Sequence, residues 1–259
     1  MKNILFVLLL FVSACSTKKD NMKNNYSPEI KFEEAGKTFS SVIQLPKQFK
    51  EPLPLVMIIH EWWGRNDYIT KRTEMLKAEG FAVLALDLYG NEQVVTTPQE
   101  AQALATPFYQ NPQLGIGRLV KYLEAAKKDP HVNADKIFVI GYCFGGTQAL
   151  NLARSGAVIS GVVSFHGGLA TSIQNPQIKA KILALNGEAD PMVPKKEVKA
   201  FEKEMKTAKA NFKIINYKGA THAFTNPNST AVGKKFNIPI SYNKEADEAS
   251  FKELIKFLK

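Results

Sequence analysis

The sequence predicts an α/β fold with a mostly parallel central sheet and helices on both faces. The first observation is a set of short, continuous apolar runs, such as LVMII at 55–59, FAVLAL at 81–86 and IFVI at 137–140. These runs lack the polar alternation of a strand with one wet face, so we expect strands that are buried on both sides. The second observation is that segments with helical periodicity separate the runs, which favours parallel strands joined by right-handed crossovers.

The other elements follow from the same patterns and from turn residues. Residues 29–45 alternate weakly around Gly36, which predicts an antiparallel pair of edge strands. Asp67 is the expected N-cap of the first helix, which ends before Gly80. Further strands are predicted at 158–165, 182–185 and 212–217, and helices at 67–79, 98–105, 107–112, 114–128, 148–154, 194–208 and 243–258.

The composition is that of one large globular domain. The chain has 259 residues, of which 45% are hydrophobic, and it shows no internal repeat and no second domain. The net charge is +10, but the basic residues are spread along the chain and are not interleaved with aromatic ones. This argues against a nucleic-acid partner. It favours a solvated basic surface, with attraction to anionic membranes or cell-wall polymers as the alternative.

The N-terminus resembles a bacterial lipoprotein signal peptide. Lys2 is followed by an apolar run at 4–12, which is too short to span a bilayer, and then by small residues before Cys15. The alternative is an ordinary signal peptide that is cleaved nearby. The resemblance implies that residues 1–14 are removed and that Cys15 is lipidated, which would anchor the protein to a membrane.

The predicted domain boundaries follow from this signal. Residues 15–28 would hold the lipidated cysteine and a polar, flexible tether, and residues 29–259 the folded domain. Ser16 follows the cysteine, which by the same resemblance implies an exported lipoprotein of the cell envelope, on the outer-membrane or periplasmic side in a Gram-negative organism. Cys143, the other of the two cysteines, is then an unpaired thiol and a candidate reactive group.

Cys143 lies in a pattern that is typical of a catalytic nucleophile. It follows an apolar strand, precedes a helix-forming run, and is flanked by Gly141 and Gly145. This is the context of a nucleophile elbow, with cysteine where serine usually stands. The helix N-terminus would favour a thiolate and present backbone N–H groups to an oxyanion. The alternative is a buried structural cysteine in a glycine-rich turn.

Two further residues at strand ends complete a candidate triad. Asp190 and His222 follow Cys143 in the nucleophile, acid, histidine order of α/β-hydrolases. Cys143 would attack a carbonyl carbon, His222 would act as base and then as acid, and Asp190 would fix the histidine tautomer. Taken singly, Asp190 could begin a turn before Pro191, and His222 could be a loop histidine.

Four motifs together resemble the dienelactone hydrolase family. The resemblance runs from about residue 39 to the C-terminus. It implies an α/β-hydrolase fold and a hydrolase of esters or lactones that acts through a thioester and needs no cofactor or metal. The motifs are His60-Glu61-Trp62-Trp63-Gly64, Gly141-Tyr142-Cys143-Phe144-Gly145-Gly146, Gly187-Glu188-Ala189-Asp190-Pro191-Met192-Val193-Pro194 and Gly219-Ala220-Thr221-His222-Ala223-Phe224, with Tyr242-Asn243 further on.

The resemblance also implies roles for residues that spacing alone would not identify. In this family, a glutamate at the position of Glu61 interacts with the nucleophilic thiol, so Glu61 would take the Cys143 proton as substrate docks. The alternative is a surface carboxylate at a loop entrance. The oxyanion hole would be the backbone N–H groups of Trp62 and Phe144.

The chain departs from the dienelactone enzymes proper, which hold the substrate carboxylate with two arginines. Neither 91–109 nor 223–228 contains an arginine, so a substrate carboxylate loses its expected anchors. Arg65 is a candidate substitute, although a surface role suits it better.

The remaining aromatic residues and histidines have plainer interpretations. Five aromatic residues are candidates to line an apolar pocket, with core packing as the alternative for each: Trp62, Trp63, Phe108, Tyr109 and Phe224. Of the other histidines, His60 and His166 are interpreted as structural and His131 as a surface residue.

Three functions are compatible with these patterns. The first is a membrane-tethered cysteine hydrolase of small esters or lactones. The second is a non-catalytic binding lipoprotein that keeps the hydrolase fold, against which the complete triad and Glu61 argue. The third keeps the enzyme but changes the bond to a peptide, an amide or a cell-wall-linked ester.

Overall fold

The computed structural model describes residues 27–50, 52–174 and 176–259. The predicted signal peptide, Cys15 and all but the last two residues of the predicted tether lie outside the described residues. Eight strands form one sheet in the order β1-β2-β4-β3-β5-β6-β7-β8. The strands are β1 Glu29–Glu34, β2 Lys37–Gln44, β3 Leu53–Ile59, β4 Ala82–Leu86, β5 Val132–Tyr142, β6 Gly161–Phe165, β7 Lys181–Gly187 and β8 Phe212–Tyr217.

The sheet is parallel except at one edge. The six strands from β4 to β8 pair in parallel, whereas β2 pairs antiparallel with both β4 and β1. The predicted antiparallel pair at 29–45 is therefore confirmed. In a parallel sheet the carboxyl ends of the strands share one edge, so the loops that follow β3, β5, β7 and β8 come together there.

Helices cover both faces of this sheet. Their bounds are α1 Asp67–Ala78, α2 Pro98–Gln110, α3 Pro112–Ala126, α4 Phe144–Arg154, α5 Lys195–Thr207, α6 Ser229–Phe236 and α7 Lys244–Leu258. In β3, Leu55 and Met57 pack into the core under α2, α3, α4 and α5, whereas Val56 and Ile58 pack into the core under α1 and α7. These strands are buried on both sides, which explains their unbroken apolar sequence. The predicted fold class is confirmed.

The first two helices differ from the sequence prediction in detail. The N-cap of α1 is Asn66, whose side chain accepts a hydrogen bond from the backbone N–H of Tyr68, and Asp67 is the first helical residue. The two helical pieces predicted at 98–105 and 107–112 form one helix, α2, which contains Pro107. Pro107 lies near the end of α2, and a capping box between Thr97 and Glu100 stabilises the start of that helix.

The short helix α6 was not predicted. It ends at Asn237, which has a φ of 51°, and the chain then returns towards the sheet. A Cβ on Gly233 would lie 2.4 Å from the carbonyl oxygen of Ile240. This close approach brings Ile240 into a β-bridge with His222. The helix therefore helps to build the loop around the candidate histidine.

No helix in the described part of the chain is both long enough and apolar enough to cross a lipid bilayer.

Candidate active site

The candidate nucleophile lies in a strained turn between β5 and α4. Cys143 has φ 53° and ψ −116°, a conformation that a residue with a Cβ adopts only at a cost on the order of 1–3 kcal/mol. The flanking glycines permit the tight crossing. A Cβ on Gly145 would lie 2.4 Å from the carbonyl oxygen of Ile59, and one on Gly141 would lie 2.1 Å from the Gly145 carbonyl. The predicted strand, turn and helix are confirmed.

The three candidate triad residues lie in hydrogen-bonding contact. His222 Nε2 is 3.1 Å from the Sγ of Cys143, and His222 Nδ1 is 2.8 Å from Asp190 Oδ2. The other oxygen of Asp190 accepts a hydrogen bond of 2.8 Å from the backbone N–H of Met192. Each side chain comes from the end of a different strand, as the sequence predicts.

The surroundings of His222 favour its protonated form. Burial by itself lowers the pKa of His222, but the negative charge of Cys143 and the hydrogen bonds to Asp190 and Cys143 raise it to about 10. The raised pKa holds when the thiol is ionised, so a thiolate at Cys143 and an imidazolium at His222 would stabilise each other.

The Glu61 side chain lines the same cavity as the thiol, but its hydrogen-bond partner is Asn226 rather than Cys143. Its Oε2 accepts a hydrogen bond of 2.7 Å from the side-chain N–H of Asn226. Burial raises the pKa of Glu61 to about 7, although the bond from Asn226 acts in the opposite direction. Among the described residues, Cys143 is hydrogen-bonded through Sγ to His222 alone, and Glu61 does not reach it. The role of Glu61 as a base for the thiol stays a prediction.

Asn226 is a functional candidate that sequence reasoning missed. It lies four residues after His222, within the segment 223–228, which contains no arginine. Its partner Glu61 is 165 residues away in the chain, so no local pattern indicates the contact.

The backbone groups predicted to form an oxyanion hole are available. Among the described residues, no hydrogen bond is donated by the backbone N–H of Trp62 or of Phe144. The other backbone polar group of Trp62, its carbonyl oxygen, accepts a hydrogen bond of 3.1 Å from the hydroxyl of Tyr89. Phe144 is the first residue of α4, so its N–H has no partner within the helix.

Two structural histidines support these loops from beneath. Nδ1–H of His60 donates to the carbonyl oxygen of Glu61 at 2.6 Å, and Nε2 accepts from the N–H of Leu88. Burial lowers the pKa of His60 to about 4, so it remains neutral. The sequence-based interpretation of His60 as structural agrees with these bonds.

His166 contacts the backbone of the nucleophile rather than its thiol. The N–H of Cys143 is shared between the carbonyl oxygen of Phe165 at 2.9 Å and Nδ1 of His166 at 3.2 Å. Because Nδ1 accepts, Nε2 carries the proton and donates to Oγ1 of Thr225 at 2.7 Å. Burial holds the pKa of His166 well below its usual value. This support for the elbow was not visible in the sequence.

A cavity of about 430 Å³ lies over the thiol and is mostly apolar. Of the predicted aromatic residues, Trp62, Trp63 and Tyr109 line it. Phe108 and Phe224 do not, because both are buried in the core. The remaining side chains that line the cavity were not predicted, and they are Gln102, Thr147, Ala170, Met192, Val193, Glu197, Ala223 and Ile240.

No cation replaces the missing arginines in this cavity. Arg65 bonds instead to the carbonyl oxygens of Ser40 and Ala85 and to the carboxylate of Glu92. None of the described lysines or arginines lines the cavity. Among the described residues, no group of three or more His, Cys, Asp or Glu could hold a metal ion. His131, interpreted as a surface residue, is only partly exposed and packs against Phe49.

The geometry matches a known family over most of the chain. Residues 39–259 match the model of the dienelactone hydrolase family. The chain belongs to that family. It is 29% identical to Protein usf of Aquifex pyrophilus over 203 residues, which cover 76% of this chain and 86% of the relative. It is also 29% identical to the carboxymethylenebutenolidase of Pseudomonas putida, over 61% of this chain and 69% of the relative.

Solved structures of the family have the same fold. A dienelactone hydrolase-like promiscuous phosphotriesterase from metagenomic libraries superimposes with a TM-score of 0.83 at 26% identity, over 90% of this chain and 97% of that one. Together with the family match, this identifies the protein as a carboxylic ester or lactone hydrolase with an α/β-hydrolase fold. The fold and the enzyme class expected from the sequence are confirmed.

Removal of the Asn226 side chain tests whether its hydrogen bond controls the pKa of Glu61. The bond from Asn226 lowers the pKa of Glu61, so Asn226→Ala should raise it further above about 7. If the Glu61 carboxylate is needed for activity, the acid limb of the pH profile of kcat/KM should move up by roughly 0.5–1 pH unit, the equivalent of one hydrogen bond.

A double variant is the control for this prediction. The residual activity of a Glu61→Gln background lacks the limb that belongs to Glu61, so adding Asn226→Ala should cause no further shift in its pH profile. The same shift in both backgrounds would show that Asn226 acts on another group.

Proposed function

We propose that the protein hydrolyses small carboxylic esters or lactones through a thioester on Cys143, with His222 and Asp190 as the other members of the triad. The observation that carries this proposal is the continuous set of contacts from Cys143 Sγ through His222 to Asp190, at 3.1 and 2.8 Å. It lies beneath a cavity large enough for a small substrate.

The first half of the reaction forms the thioester. His222 takes the thiol proton, and the thiolate attacks the carbonyl carbon of the substrate. The carbonyl oxygen becomes an oxyanion, which the N–H groups of Trp62 and Phe144 bind. Collapse of the tetrahedral intermediate breaks the bond to the leaving oxygen, which receives the proton from His222. In a lactone the alcohol produced remains part of the acyl group.

The second half releases the acid. His222 removes a proton from water, and the resulting hydroxide attacks the thioester carbonyl. The C–S bond breaks, and His222 returns the proton to the sulfur. Asp190 fixes the tautomer of His222 and stabilises the imidazolium.

Glu61 has a proposed role in preparing the thiol. The family resemblance implies a second route, in which Glu61 instead of His222 accepts the Cys143 proton when substrate docks. In that route His222 is already protonated and supplies the proton of the leaving oxygen, and Glu61 returns its proton to the sulfur after the thioester is hydrolysed. Its position in the same cavity and its pKa of about 7 support this role, because such a carboxyl can exchange a proton near neutral pH. To act in this way Glu61 would have to leave Asn226 and turn towards the thiol.

We also propose that the protein is an exported lipoprotein held at a membrane through Cys15. The support is the order of basic residue, apolar run and cysteine in the first 15 residues. The substrate would then be met in the cell envelope.

Replacement of the nucleophile tests the proposed reaction. With short aryl esters and simple lactones, Cys143→Ala should reduce kcat/KM by at least about 1,000-fold, because no thioester can form. Cys15→Ser, which changes the other cysteine, should turn over like the wild type. Circular dichroism should show both variants folded.

Wild-type turnover by Cys143→Ala would contradict the mechanism. No turnover by the wild type, together with a Cys143 thiol that does not react with an alkylating agent, would favour the binding lipoprotein instead.

The same two variants test the membrane anchor. Cys15→Ser should move the protein from the membrane fraction to the soluble fraction when cells are broken, because the lipid attachment site is lost. Cys143→Ala should remain with the membranes. Equal membrane retention of all three proteins in fractionation would contradict lipidation at Cys15.

A further inference from the structure

Glu197 forms part of the wall of the active-site cavity and has one free carboxylate oxygen. It lies in the first turn of α5 and lines the cavity together with Cys143 and His222. Its Oε1 accepts hydrogen bonds from the backbone N–H groups of Leu169 and Ala170, the second at 3.1 Å. Within the described chain, Oε2 has no hydrogen-bonding or ionic partner.

Glu197 lies near Thr147 of α4 in the wall of the cavity. Thr147 lies one helical turn after Cys143 in α4, and its N–H donates to the Cys143 carbonyl oxygen at 3.2 Å. A Cβ on Gly168 would lie 3.3 Å from Thr147 Oγ1 and 3.9 Å from Glu197 Oε1. Only the width of one small group therefore separates Glu197 from the helix that carries the nucleophile.

Apart from the Cys143–His222 pair, the acidic and basic side chains that line the cavity in the described chain are carboxyls. The acidic side chains that line it are Glu61 and Glu197, and the described lysines and arginines do not line it. The nearby Lys195 is directed to Glu188, with 3.7 Å between their charged atoms. Away from His222, the part of the wall that holds Glu197 attracts a cation and repels a carboxylate, because the low-dielectric walls strengthen both effects.

We propose that Glu197 determines specificity by binding a positively charged group of the substrate through Oε2. The preferred substrate is then an ester or lactone whose acyl part carries a substituted ammonium a few atoms from the reacting carbonyl. This rests on the proposed hydrolysis at Cys143. Glu197 would bind a substrate cation, whereas the arginines of the dienelactone enzymes bind a substrate carboxylate. The missing arginines would then go together with a change in the charge of the substrate.

Glu197 could have a purely structural role instead. Its hydrogen bonds from Leu169 and Ala170 would then serve only to hold the loop after β6. Glu197→Gln separates the two roles. The glutamine side-chain oxygen can accept the same two N–H bonds, so the loop is kept, but the negative charge is removed.

The experiment compares three aryl esters of matched shape. Their acyl chains end in a trimethylammonium group, in its uncharged tert-butyl isostere or in a carboxylate. In the wild type, kcat/KM should be highest for the cationic ester and lowest for the anionic one, with about tenfold between the cationic ester and its isostere, as expected for one partly solvated charge pair. Glu197→Gln should remove that preference and leave the uncharged ester within about twofold, because a neutral group makes no charge-specific contact.

Glu202→Gln is the matched control. Glu202 also lies in α5 but is paired with Lys206 on the outer side, so its replacement should leave the preference unchanged. Equal kcat/KM for the three esters in the wild type would overturn the proposal. A uniform loss on all three esters in Glu197→Gln would show that Glu197 only supports the loop.

A second measurement keeps the test independent of hydrolysis. Methanethiosulfonates with an ammonium, an uncharged or a sulfonate group modify thiols without any turnover, and peptide mass mapping locates the product at Cys143. The cationic reagent should react fastest in the wild type, and Glu197→Gln should bring its rate close to that of the uncharged reagent. Rates that do not depend on Glu197 would overturn the proposal, whereas failure to hydrolyse the uncharged ester would overturn only the proposed function.

Discussion

The contact between the Cys143 thiol and His222 depends on the crossing of β5 and α4. The backbone at Cys143 has a positive φ, and this raises the side chain above the carboxyl edge of the sheet. Gly145 packs against the backbone of β3 at a distance that no other side chain permits. Any residue larger than glycine would push α4 away from the sheet and move both the thiol and the Phe144 N–H.

Burial sets the electrostatics around this crossing. Glu61, His60 and His166 are almost completely buried, and each is shifted towards its neutral form. His222 is the exception, because the charges of Cys143 and Asp190 outweigh the cost of burying the imidazolium. Of these four residues, His222 alone is shifted towards its charged form.

The sequence predicts the parts of the site that depend on strand ends. Cys143, Asp190 and His222 follow apolar strands, and parallel strands bring their ends to one edge, so the contact between these three candidate residues could be predicted without coordinates. Contacts between distant loops left no such signal. Asn226 meets Glu61 across 165 residues, and Glu197 meets the loop after β6 across 28. The helix α6 was missed because it has only eight residues and the residues it buries, Ser229 and Gly233, are small rather than large and apolar.

The most direct test of the account is detection of the acyl group on Cys143. The protein would be mixed with a slowly hydrolysed aryl ester, quenched with acid at a series of times and digested for mass spectrometry. The account predicts an acylated Cys143 peptide that is removed by neutral hydroxylamine, as a thioester is, and that forms and decays fast enough to support turnover. Turnover without this adduct, or with the acyl group on another residue, would contradict a thioester mechanism at Cys143.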